Sequence, residues 1–76
     1  MKMKIHELEI EESTLLACIG RMKTAPFKAA DIALVAETHG VPHEPAYRVA
    51  DRLIQRQRKA RNIHITQPYP TWVWIR

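Results

Sequence analysis

Residues 45–61 read PAYRVADRLIQRQRKAR, and the rest of the chain is intelligible as what positions them. Ala46, Val49, Ala50, Leu53 and Gln57 recur at three- and four-residue spacing, so at about 100° per residue they line one stripe of a helix. Arg48, Asp51, Arg52, Gln55, Arg58 and Lys59 fall on the opposite side. A helix that buries Val and Leu while presenting guanidinium groups has a core behind it and something anionic in front. The alternative is a basic face that is merely solvated.

Just upstream, His39-Gly40-Val41-Pro42-His43-Glu44 reads as a tight turn. Gly40 suits the position past a helix end, Val41 supplies the apolar contact of a Schellman ending, and Pro42 prevents continuation. Pro45 fits the first turn of the next helix, where its missing N–H costs nothing. The helix before the turn spans 28–39, with Ala29, Ile32, Ala33 and Ala36 on one stripe and Asp31 favourably placed in the first turn. Thr24-Ala25-Pro26-Phe27 interrupts the helical pattern, because Pro26 lacks a donor and disfavours helix at Ala25. A short extended link with Phe27 as core anchor is expected there. Helix 1 is placed at 11–23, burying Leu15, Leu16, Ile19 and Met22. Gly20 inside it implies a tight packing contact or an early helix end. Residues 1–10 alternate only weakly and are read as an arm or tail; their acidic cluster, Glu7 to Glu12, should face away from phosphate.

Downstream, Asn62 is the expected left-handed cap. Ile63-His64-Ile65-Thr66 alternates like a strand, Gln67-Pro68-Tyr69-Pro70 is a turn, and residues 71–76 (TWVWIR) are a β-rich run. Together they make a C-terminal hairpin. Trp72 and Trp74 share one face of its last strand, with Val73 and Ile75 on the other. One face must cover the helices, and the other is a candidate homodimer surface.

The net charge of +4 is unevenly spread. Residues 1–40 hold five Lys/Arg against six acids, whereas residues 41–76 hold seven against two, and six of those seven are Arg. Arginine makes bidentate contacts with phosphate and guanine. Seventy-six residues form one small domain with an economical core. No apolar run reaches membrane length, and MKMKIHELEI lacks the apolar stretch and cleavage site of a secretory signal, so a cytoplasmic location is expected. Cys18 is the lone cysteine, excludes an internal disulfide, and sits in an apolar run as a small buried hydrophobe. His39 and His43 are four apart, but Gly40 and Pro42 break any helix between them, so no metal site is assigned. No nucleophile–base pair and no Gly-rich phosphate loop occurs, so no enzyme, cofactor or small-molecule substrate is assigned.

Helix, extended link, helix, tight turn, helix and hairpin is the element order of winged helix-turn-helix domains. The chain resembles that family through residues 26–42 (PFKAADIALVAETHGVP), 46–65 (AYRVADRLIQRQRKARNIHI) and 71–76 (TWVWIR), a likeness covering roughly residues 14–76. The resemblance implies an α+β winged-helix fold: three helices and a C-terminal hairpin, with a short strand between helices 1 and 2. It also implies that residues 45–61 are the recognition helix of a bacterial or phage transcription regulator or accessory factor. That helix would enter the major groove of double-stranded DNA, with sequence-specific or semi-specific readout. The base-reading candidates are His43, Glu44, Tyr47, Arg48, Asp51, Arg52 and Gln55: Arg with guanine, Gln with adenine, Asp with cytosine or a neighbouring Arg. Lys28, Arg56, Arg58, Lys59 and Arg61 are the phosphate candidates, and Gln67 and Tyr69 the wing contacts. This chain differs from the pattern in three ways. Lys28 stands where a capping Ser or Thr is usual, the long helix is about one turn longer, and the wing tip has no cation. Two other readings are a protein-interaction module docking its basic helix on an acidic partner, and single-strand binding by exposed Tyr69, Trp72 and Trp74.

Overall fold

The structure, a computed structural model, describes residues 3–5 and 7–75. Two strands, β1 (Met3–Ile5) and β2 (Leu8–Ile10), come first. They are followed by α1 (Glu12–Thr24), α2 (Ala29–Thr38), α3 (His43–Lys59), β3 (Ile63–Thr66) and β4 (Thr71–Trp74). The α+β architecture and the order of helices, link and C-terminal hairpin are those expected. The N-terminal hairpin is not.

In place of an arm, β1 and β2 pair antiparallel with Met3 opposite Ile10 and Ile5 opposite Leu8. Met3, Ile5 and Ile10 are buried, and β1 packs on α3. The Cα radius of gyration is 11.6 Å. A compact chain of this length has about 11.4 Å, so the described N-terminal residues are folded in. The physical reason is that two apolar side chains on one face of β1 find an unfilled edge of the helical core, which offsets the entropy of ordering the hairpin.

α1 buries Thr14, Leu15, Cys18 and Met22. Leu16, expected in that stripe, is 55% exposed. Counting apolar residues put Leu16 inward, but the packed side passes through Thr14 and Cys18 instead. Burial pushes the Cys18 thiol up to about 11, and its Sγ lies 3.7 Å from the Ile32 carbonyl oxygen, so it is a structural group rather than a reactive one. Gly20 neither ends the helix nor meets a neighbour: α1 continues to Thr24, and a Cβ at Gly20 would find nothing within 4 Å. Gly20→Ala is therefore expected to stabilise the domain by about 0.5–1 kcal/mol, read as a higher urea midpoint at constant m. A lower midpoint would contradict this placement of Gly20 on an open helix surface.

Phe27 does what the link predicts. It is fully buried and forms a one-residue bridge to β4, donating to the Trp72 carbonyl (2.9 Å) and accepting from the Trp72 amide (2.8 Å). Trp72 and Trp74 are half-buried and pack against the core, so their face is the one that covers the helices. At α2, the acid that sequence places at the third helical position receives the Lys28 amide (2.8 Å). Only the reciprocal bond is lost, because an ammonium has no acceptor.

The turn into α3 closes as a Schellman motif: Val41 donates to Ala36 (3.1 Å) and Gly40, with φ +94°, donates to Glu37 (2.9 Å). α3 begins at His43, two residues before the expected start, and Pro45 still falls in its first turn. Its far end repeats the motif with Arg61, not Asn62, as the left-handed residue (φ 62°). Arg61 donates to Arg58 and Asn62 to Gln57, both at 3.0 Å. Asn62 has another role, donating through Nδ2 to Gln57 Oε1 at 2.7 Å. That bond satisfies the one polar residue in the buried stripe.

Candidate nucleic-acid interface

The apolar side of α3 is Ala46, Val49, Ala50, Leu53 and Ile54, all buried. α2 packs closely along it, with β1 and β3 also against α3. Four of the five are small or β-branched residues, which lets α2 approach closely. With that side committed, the opposite side is exposed along its length, β1 reaching only its flank. Tyr47, Arg48, Asp51, Arg52, Gln55, Arg56, Arg58 and Lys59 are all exposed.

At the N-terminal end, His43 Nδ1 lies 3.0 Å from Glu37 Oε1, and its ring meets Tyr47 edge-on at 5.2 Å between centroids. Glu37 was not anticipated from sequence. It sits six residues earlier, and only the angle of the turn brings it over. One turn on, Arg48 Nη2 is 3.8 Å from Glu44 Oε1, an exposed (i, i+4) pair. Such a pair contributes little and leaves the guanidinium available. Asp51 lies exposed between Arg48 and Arg52, and Gln55 Oε1 accepts from Arg58 Nη2 at 2.9 Å. Arg52 turns sideways: its Nη1 donates to the Lys4 carbonyl at 3.2 Å. Among the described residues, none of these arginines is held in a buried ion pair.

The remaining candidates fall at the margins. Arg56, Lys59 and Arg61 are exposed on the last turns of α3 and its ending, and Lys28 is exposed at the start of α2. Gln67 and Tyr69 are exposed at the tip of the C-terminal hairpin, Tyr69 at 76%. The structure thus gathers His43, Tyr47, Arg48, Asp51, Arg52 and Gln55 on one element. Sequence reading missed Lys4, which β1 carries to the flank of α3. The signal for it was the paired alternation Met3/Ile5 and Leu8/Ile10, short enough to pass for a tail.

Among the described residues no helix is long and apolar enough to cross a membrane. Comparison with family models, with curated proteins and with solved structures finds no match to this chain.

Proposed function

We propose that this chain is a winged-helix domain that binds double-stranded DNA, with α3 in the major groove and the β3–β4 hairpin as its wing. It would act as a small transcriptional regulator or accessory factor. The observation that carries this reading is the exposed side of α3, where among the described residues no arginine is held in a buried ion pair, while the other side is fully packed. His43, Tyr47, Arg48, Asp51 and Gln55 face base edges, and Arg56, Arg58, Lys59, Arg61 and Lys28 serve the phosphates. The Trp pair is packed against the core, which speaks against a single-strand stacking platform.

A second reading has one observation in its favour: Glu44 and Asp51 share the basic face, a mixed charge pattern that also suits an acidic protein surface with a few cations. Titration of a fluorescent duplex at 50 and 200 mM salt separates the two. If three to five phosphates are neutralised, the slope is about −2.7 to −4.5, and affinity falls roughly 40- to 500-fold over that interval. No binding at the lower salt ends the DNA reading.

A further inference from the structure

We propose that Lys4 and Arg52 form a phosphate clamp on the flank of α3, so that the N-terminal hairpin is a second DNA-contacting element; this rests on the DNA reading above. Met3 and Ile5 are buried on either side of Lys4, which fixes the Lys4 backbone against the core and leaves its side chain exposed. The Lys4 carbonyl then takes Arg52 Nη1 at 3.2 Å. A guanidinium held on one side has already lost much of its rotamer freedom, so a contact from its remaining donors costs less entropy.

The same bond biases what Arg52 meets. It takes one of the five guanidinium N–H donors and holds the head sideways, against β1, which places the remaining donors nearer a phosphate at the flank than a base edge in front of α3. A phosphate oxygen takes the donors left over, and the exposed Lys4, on the strand that holds Arg52, carries the second cation of the clamp. The C-terminal wing cannot supply such a contact, because its tip, Gln67 to Pro70, has no cation. The acidic cluster of this end, Glu7 to Glu12, lies on β2 and the residues either side of it, so only the β1 edge beside α3 approaches phosphate. This is a narrower contact than the sequence expectation, in which the whole end faces away. Glu9 lies opposite Lys4, and among the described residues no ion pair joins the two.

The test is fluorescence anisotropy with a random-sequence duplex and with the duplex recovered by random-pool selection, for wild type, Lys4→Gln and Arg52→Gln. Circular dichroism melting serves as the check on fold. Each substitution is expected to make the salt slope shallower by about 0.9, shrinking the advantage of wild type about 3.5-fold between 50 and 200 mM. The loss should be equal on both duplexes. Lys4→Gln leaves the backbone carbonyl in place, so it reads the ammonium contact without disturbing the brace. An unchanged slope for Lys4→Gln overturns the clamp, as does an Arg52→Gln loss confined to the selected duplex. If Arg58→Gln still flattens the slope in that case, the clamp alone fails; if wild type binds neither duplex, the DNA reading fails with it.

Discussion

Phe27→Ala is expected to cost about 3–5 kcal/mol, a large share of the stability of a domain this small. At about 0.05–0.15 kcal/mol per residue, 76 residues yield roughly 4–11 kcal/mol, so the urea midpoint should fall by roughly a quarter or more. The size of the effect follows from where Phe27 sits. It is the sole Phe, fully buried, and its backbone bridges β4 while its ring fills the core beneath the helices. Removing the ring leaves a cavity at the joint between sheet and bundle, where the two backbone bonds to Trp72 hold the chain in place and limit its collapse. Urea denaturation followed by far-UV circular dichroism measures it. A loss below about 1 kcal/mol would mean that the joint collapses freely and that Phe27 is no anchor.

What could be read from the residues depended on how many periods each element offered. α3 is 17 residues long, so its stripe repeats enough times to fix both the buried side and the arginine side. The turn at Gly40 was legible because glycine, an apolar residue and proline follow each other in the order a Schellman ending requires. The other end of α3 was legible in kind but off by one residue. The helix stops at Lys59, so the left-handed position falls on Arg61, and Asn62 follows it to bond Gln57. A preference for Asn in that conformation was outweighed by where packing ended the helix.

The N-terminal hairpin was hidden for a different reason. Strands of three residues give little more than one period, which cannot be told from an arm without knowing that α3 leaves an edge uncovered. Leu16 misled in the opposite direction: its apolarity suggested burial, yet burial belongs to the side of α1 that other elements reach. The candidate site shows the same division. Its residues on α3 could be named from spacing, whereas the Lys4 carbonyl under Arg52 and Glu37 beside His43 depend on tertiary approach.

Arg48→Ala is the second large effect expected, and it bears on the exposed side of α3 without touching the fold. Arg48 is 53% exposed at its side chain, and its one described partner is the surface carboxylate of Glu44, so the substitution should leave the melting curve within about 0.5 kcal/mol of wild type. A guanidinium at the centre of a major-groove helix is worth about 1–3 kcal/mol against the wrong base, roughly a 5- to 150-fold change in affinity. Paired anisotropy titrations of wild type and Arg48→Ala against the selected duplex are therefore the most direct measurement. The expected result is a 5- to 150-fold weaker complex for a protein that melts normally. Equal affinity for the two proteins would contradict the placement of DNA on this side of α3.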